Sequence, residues 1–465
     1  MSSPISLIHA HLQSQLERMC ADQKVSRWVV AYSGGLDSTV LLHALTKIQV
    51  SAGADAIRPI VALHINHQLS PSADSWQRHA QAQAQAVAVE FFAERVVVES
   101  RGKGMEDAAR EARYAVFNRF VGPDDVLLLA HHADDQVETL LLRLMRGAGL
   151  EGLAGIQKTR ALAEADSGQL LRPLLDLARA DLAAYARAEN LHWIEDESNT
   201  DTQFDRNFLR AEILPKLAQR WPGFQHRWQA AADHCAEGAK AQRRDMAVLL
   251  QRCDPRLERM GCSVNLPILR ALEEREQLSL LRYWLRSFGV NSTSAQLGQI
   301  RMQMICGRMD AVAEVTLGSR CVRRFDDRLY LLDAQLSVYA AAAEACRPMV
   351  LCAESSLCMT LPCGELLVSS SVDSVDTATR LCRVAIKDKK LTVRFRSGGE
   401  RAKPAGRAHS QTLKKLLQEY RLEPWLRPLV PLIYADEQLV AAVGLWVESG
   451  FAIAGDESAL SLTWE

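Results

Sequence analysis

The chain has 465 residues, 48% of them hydrophobic and 24% charged, and its 55 Lys and Arg against 56 Asp and Glu leave a formal net charge of −1. That length exceeds a single hydrophobic core and points to two or three domains. The near-zero charge excludes a protein that coats nucleic acid indiscriminately, so any nucleic-acid contact has to come from a local basic patch; no apolar run is long enough to span a bilayer, and residues 1–20 are broken by polar side chains, which predicts a cytosolic chain with no membrane contact.

In chain order, short apolar strands are expected at Trp28–Tyr32, Ile60–Ile65, Val96–Val98 and Val126–Ala130. Helical patterns lie between or after them at Ser38–Lys47, Asp74–Val89, Glu106–Phe120 and Asp135–Arg146. This alternation predicts an α/β fold, an N-terminal doubly wound parallel sheet over residues 1–220 that binds ligands at the carboxyl ends of its strands. Ser33, His64–His67 and His131–Asp135 each follow a strand and should converge on one site. Past Pro215 the pattern becomes helix-rich, giving a middle domain at 221–335 with a strongly amphipathic Glu273–Phe288 and strand-like Val312–Leu317 and Arg328–Leu332. A less regular connecting segment at 336–390 precedes a small C-terminal α/β domain at 391–465, which carries Arg394, Arg396, Arg401, Lys403, Arg407, Lys414 and Lys415.

The most informative segment is Ser33-Gly34-Gly35-Leu36-Asp37-Ser38, at the junction of the first strand and helix. Two glycines let the backbone fold tightly around phosphate, with N–H groups and the helix dipole aimed at the anion. It lacks the lysine of the G-x-x-x-x-G-K-[ST] loop; a simple Gly-Gly turn would explain the glycines but not the serines and Asp37. In His131-His132-Ala133-Asp134-Asp135-Gln136-Val137-Glu138, Asp135 and Glu138 share a helix face, which suits either a capping box or a pair of carboxylates for Mg²⁺ or a substrate ammonium. Gly147-Ala148-Gly149-Leu150-Glu151-Gly152 fits G-x-G-x-x-G but comes after a helix, so it fails the dinucleotide context; Gly147 reads as a C-terminal helix glycine and the rest as a flexible loop. Arg110 and Arg113 sit on adjacent turns of one helix, as solvated ion pairs or as anion ligands. Arg206 and Arg210 arrive one turn apart after the turn-rich Ile194–Asn199 and would form a phosphate-positioning edge. Of the eleven cysteines only Cys20 precedes Cys235, and no C-x-x-C occurs, so they read as small core residues in a reducing compartment.

Taken in order, Ser33–Ser38, His64–His67, Glu106–Tyr114, His132–Thr139, Arg146–Gly152, Arg172-Pro173-Leu174-Leu175 and Ile194–Arg210 resemble the tRNA(Ile)-lysidine synthase family of the PP-loop ATP pyrophosphatases. Leu413-Lys414-Lys415, Pro424-Trp425-Leu426-Arg427 and Pro431-Leu432 look like that family's C-terminal domain. The resemblance implies ATP and Mg²⁺ as cofactors and the CAU-anticodon tRNA(Ile) and free L-lysine as partners, with a homodimer left open. It implies that the wobble cytidine is first adenylated at its C2 oxygen and then joined to lysine. The roles implied are Ser33, Gly34, Gly35, Leu36, Asp37 and Ser38 on the phosphates and His64, Asn66 and His132 on the nucleotide. Asp37 and Asp135 would hold metal, Asp135 with Glu138 would hold Mg²⁺ or the lysine ammonium, and Arg113 and Arg206 would stabilise phosphate or substrate charge. Two departures stand out: Ala408–Thr412 replaces a glycine-rich approach to Leu413, and Ala133 stands where a larger apolar residue is common. A tRNA thiolase of the same superfamily is disfavoured by the missing cysteine pair, an amidotransferase by the missing glutaminase module, and an inactive tRNA-binding fold by the intact carboxylates and loop.

Overall fold

The computed structural model describes residues 3–52, 58–98, 104–162, 168–195, 201–308, 313–351, 357–369, 379–453 and 458–465. Asp196–Asn199 and Val312, which entered the sequence reading, lie outside them. The chain divides into two compact units, Met1–Gln242 and Arg243–Glu465. No helix among the described residues is long and apolar enough to cross a membrane.

In the first unit α1 (Pro4–Asp22), β1 (Arg27–Ala31), α2 (Leu36–Ala52), β2 (Ile60–Asn66), α3 (Ala73–Ala86), β3 (Glu90–Arg95), α4 (Met105–Phe120), β4 (Asp125–Leu128) and α5 (Ala133–Met145) succeed one another. A helical turn α6 (Leu150–Leu153), the strands β5 (Thr159–Ala161) and β6 (Gln169–Leu171) and helix α7 (Arg179–Ala188) come next. The sheet order is β3-β2-β1-β4-β6-β5, parallel throughout except for β5. Strand alternation builds both faces. Trp28, Val30, Val126 and Leu128 enter one apolar cluster with α1, α2 and α7, while Val29, Leu63 and Leu127 enter another with Val116 and Phe117 of α4. Strand order reverses between β1 and β4, and such a switch point opens a crevice at the carboxyl ends of the two strands.

Two local differences from the sequence reading have clear causes. The third strand is Glu90–Arg95, not Val96–Val98. As an edge strand paired only to β2 it needs no continuous apolar run, and Val97 is 78% exposed. Gly147 does cap α5, with φ +69° and its N–H on the carbonyl of Leu144 at 3.0 Å. The stretch beyond Gly147 is not a loose loop, however: Leu150–Leu153 is helical, and Arg143 donates to the carbonyls of Gly152 (2.7 Å) and Gly155 (2.9 Å). After α7 come α8 (Asp205–Phe208), a π-helical turn at Leu209–Ile213, α9 (Leu214–Arg220) and the long α10 (Phe224–Arg252).

The second unit contains more strand than its helical periodicity suggested. A five-stranded antiparallel sheet, in chain order Arg256–Glu258, Gly261–Asn265, Glu314–Leu317, Arg320–Phe325 and Arg328–Asp333, packs on the amphipathic helix Glu274–Ser287 through Leu280, Leu281, Trp284 and Leu285. Residues from Leu336 on form a helix at Leu336–Glu344, a four-stranded sheet and a second five-stranded sheet, with the helix Leu413–Glu419 packed into the same apolar core.

Candidate active site at the strand ends

The loop after β1 is drawn tight by its own side chains. The Gly35 N–H donates to Ser33 Oγ (3.3 Å), Ser38 Oγ donates to the Gly35 carbonyl (3.1 Å), and the two serine hydroxyls lie 3.0 Å apart. Gly34 takes φ +82°, a conformation that favours glycine, and a Cβ there would stand 2.9 Å from Ile194 Cδ1 and push the end of that side chain aside. Its carbonyl accepts from the Ile194 N–H at 2.9 Å, which fastens the loop to the segment after α7. Leu36 is buried beneath the turn, and Asp37 opens α2. Asp37 Oδ1 is buried without a hydrogen-bond partner.

The other wall is the start of α5. His132 caps the helix: its backbone N–H donates to Asp135 Oδ2 at 3.0 Å and its Nδ1 accepts from the Asp135 N–H at 3.4 Å. The capping box is thus His132 with Asp135, and Glu138 stands outside it. His132 Nε2 lies 3.6 Å from Asp37 Oδ2 and 3.6 Å from Asp135 Oδ2, so the imidazole links the two strand-end loops. Burial pulls the His132 pKa down, but the carboxylates of Asp135, Asp37 and Asp134 outweigh it and hold the group above its ordinary value.

Arg210, in the π-helical turn, completes this wall. Its Nε donates to Glu138 Oε1 at 2.5 Å and its Nη2 to Asp135 Oδ1 at 2.8 Å. Burial raises the Asp135 pKa, yet His132, His131 and Arg210 together keep it lowered; at Glu138 burial prevails over Arg210 and the pKa is raised. Glu138 Oε2 is buried and unpaired. The sequence paired Arg210 with Arg206 as a phosphate edge; the structure brings Arg210 onto the two carboxylates. Arg206 acts with Arg110 on Arg143, whose pKa falls by burial and then by those two charges.

Around the rim, Arg172 donates from Nε to His131 Nδ1 (3.2 Å) and from Nη1 to the Gln157 carbonyl (2.5 Å). Burial, with Arg172 and Arg113 among the neighbouring charges, holds His131 at about 4; burial, Arg113 and His64 do the same for His67. The Arg113 charge thus bears on both histidines, one following β2 and the other β4. Tyr114 carries Arg110 and Arg160 against its ring, at 5.1 and 4.8 Å from the centroid. His64 is buried, with its Nδ1 2.9 Å from the Tyr32 carbonyl. Asn66 spends its amide on α3, donating to Asp74 Oδ1 and Gln77 Oε1 at 3.0 Å and accepting from the Gln68 N–H.

The arrangement provides an anion loop, an arginine-rich rim and a carboxylate pair within reach of a cation. The described residues hold no ready-made cage of three or more metal ligands. The unpaired Asp37 oxygen fits Mg²⁺, which uses one or two carboxylates and completes its shell with phosphates and water. Asp135 would first have to release Arg210.

Family models match residues 8–217 as a PP-loop domain, 265–330 as a TilS substrate binding domain and 391–464 as a TilS substrate C-terminal domain. A tRNA(Ile)-lysidine synthase from Coxiella burnetii is 38% identical over 93% of this chain and 92% of its own length, and one from Yersinia pestis is 37% identical over 94% and 93%. The solved structure of the U34-tRNA thiolase NcsA from Methanococcus maripaludis is similar over 50% of this chain and 80% of its own, with 15% identity and a TM-score of 0.42. Similarity to the curated relatives runs nearly end to end, and the chain belongs to the tRNA(Ile)-lysidine synthase family.

Proposed function

We propose that the chain is an ATP-dependent C–N bond-forming ligase that joins L-lysine to C2 of the wobble cytidine of a CAU-anticodon tRNA(Ile), acting in the cytoplasm. The observation that carries this reading is the meeting of Asp37, His132, Asp135, Glu138 and Arg210 beside the Ser33–Ser38 loop, in a chain similar over nearly its whole length to lysidine synthases. In the first step the cytosine C2 oxygen attacks the α-phosphate of ATP and pyrophosphate leaves. The loop N–H groups hold the phosphates, while Arg113 and Arg206 offset the charge that builds on them. Bound at Asp37, Mg²⁺ would neutralise charge on the triphosphate. In the second step the ε-amine of lysine attacks C2, the C2–O bond to AMP breaks, and the amine gives up a proton.

Asp135 and Glu138 are the groups that receive the lysine. Their burial excludes water and strengthens attraction for an ammonium. The amine meets carboxylates already bridged by Arg210, so that guanidinium is displaced as lysine enters. A flipped cytosine needs a cleft of this kind, as for other base-modifying enzymes. The test is incubation with ATP, Mg²⁺, labelled lysine and unmodified tRNA(Ile), with subsequent mass analysis of the nucleosides. Lysidine is the expected product; cytidine without added lysine, or thiolated cytidine, overturns the proposal.

A further inference from the structure

Away from the strand-end site, one surface of the first unit combines three features that the proposed reaction does not use. Leu217, Trp221, Phe224, Arg227 and Trp228 line a groove of about 280 Å³ where α9 meets α10. Its aromatic walls are partly open: Trp221 is 48% exposed, although large apolar side chains normally withdraw from water. The surrounding segment 214–232 contains Lys216, Arg220 and Arg227 and no acidic residue, in a chain whose net charge is −1. The Arg220 guanidinium lies 5.8 Å from the centre of the Trp221 ring. Two further exposed rings, Phe204 at 56% and Phe208 at 44%, alternate with Arg206 and Arg210 just upstream.

The groove is mechanically tied to the carboxylates. Phe224 and Leu214 pack on Val137, which lies between Asp135 and Glu138 on α5, and Leu217 and Trp228 pack around them. Gln225 Nε2 donates to Asp134 Oδ1 at 2.9 Å. The elements that form the groove are therefore packed on the helix that carries the proposed lysine-binding pair.

We infer that this groove is a stacking site for one unpaired nucleobase of the tRNA, separate from the cleft that takes the cytidine to be modified. The inference rests on the proposed tRNA substrate. An aromatic face accepts any base, arginines at the rim meet the backbone phosphates on either side, and the volume suits a single flat ring system. Anionic partners are favoured by Arg220 and Arg227 at the rim, and planar apolar ones by the tryptophans; an unstacked base on its phosphate backbone combines both properties. Such a site fixes the loop strand on one side of the target cytidine, so that flipping the target does not release the rest.

The experiment compares wild type, Trp221→Ala, Trp221→Phe and Arg227→Gln in the full chain, with an unmodified tRNA(Ile) transcript and a fully paired RNA duplex of similar length as probes. Trp221→Ala is expected to weaken transcript binding by about tenfold or more while duplex binding stays within about twofold, and Trp221→Phe to recover most of the loss. Arg227→Gln makes the salt dependence shallower by about one phosphate contact. Unchanged transcript affinity in Trp221→Ala, an equal loss with Phe, or an equal loss on duplex overturns the inference. So does a changed oligomeric state of the free chain with unchanged tRNA affinity, which makes the groove a contact between copies. Should Trp221→Ala not fold, fluorescence decides: transcript-induced quenching falls in Trp221→Phe if the ring stacks on a base and is unaltered if it does not. Lysidine formation by wild type, measured in parallel, separates the two readings: turnover with no effect at Trp221 removes the groove alone, and no turnover removes the tRNA substrate itself.

Discussion

Arg210 sets the resting electrostatics of the site. Asp135 and Glu138 are buried carboxyl groups on one helix face, and without a cation they would repel each other with little hydration to offset it; the Arg210 guanidinium bridges them and offsets one of the two charges. Removing it leaves uncompensated buried charge, a change on the order of 3 kcal/mol in comparable pairs. The same bridge supports the proposed amine binding: a pair already shaped for one cation is preorganised for another. His131 gives a pH-dependent counterpart. It stays neutral in the fold down to about 4, whereas an unfolded histidine protonates near 6.5, so in that interval the unfolded chain binds more protons and stability falls as pH falls. His67 acts in the same sense, and His132, held above its ordinary value, in the opposite one. The His131→Asn variant is therefore expected to lose less stability than wild type between pH 6.5 and pH 4 by urea denaturation, and parallel curves would contradict the assignment. Of these residues, Asp37, Asp135 and Glu138 were legible from type and spacing. Arg210 on the carboxylates was not, because its partners are more than seventy positions away in sequence and only the fold brings them together.

At the scale of elements, the two walls of the site are the two strand-to-helix turns at the sheet's switch point, and each depends on backbone detail. Gly34 is the most constrained position. A Cβ brings an unfavourable positive φ and a 2.9 Å contact with Ile194, so Gly34→Ala should lower stability by about 1 kcal/mol or more and weaken ATP binding by more than tenfold, read by thermal melting and by nucleotide titration. Unchanged ATP affinity would show that the loop does not wrap the phosphates. The parallel sheet could be read from the chain because buried central strands are continuous apolar runs: Trp28–Tyr32 and Val126–Ala130 fell within a residue or two of Arg27–Ala31 and Asp125–Leu128. The edge strand Glu90–Arg95 has only Phe91, Phe92 and Ala93 between charged ends and none of its residues is buried, and the valines beside it drew the expected strand downstream. In the second unit Gly261–Asn265 and Arg320–Phe325 are short and carry glycine, serine, asparagine or arginine, so their periodicity was hidden beside the strong helix Glu274–Ser287.

For the molecule as a whole, charge is nearly balanced, and its distribution decides where RNA can bind. The C-terminal basic cluster is less positive than its sequence suggests: Arg394 pairs with Glu437 at 2.8 Å, and Arg407 and Lys415 both face Glu419. Lys414 and Lys415 together should still contribute to tRNA backbone contact. Changing both to Gln is expected to weaken tRNA binding and to flatten its salt dependence by about one to two phosphate contacts, with ATP affinity unaltered. An unchanged salt slope would mark the cluster as ordinary solvated surface.

In the proposed reaction one crevice runs two separable steps, with Asp37 serving adenylation and the Asp135–Glu138 pair serving lysine transfer. A single-turnover assay that tracks pyrophosphate release and lysidine formation side by side, in wild type, Asp37→Asn and Glu138→Gln, tests it most directly. Glutamine keeps an acceptor for Arg210 Nε, so the fold is expected to hold. Wild type is expected to release pyrophosphate even without lysine. A loss of release by about a hundredfold or more is expected in Asp37→Asn, and near-normal release with lysidine formation down by a similar factor in Glu138→Gln. Equal losses of both steps in Glu138→Gln, or normal release in a folded Asp37→Asn, would contradict that division of the two steps.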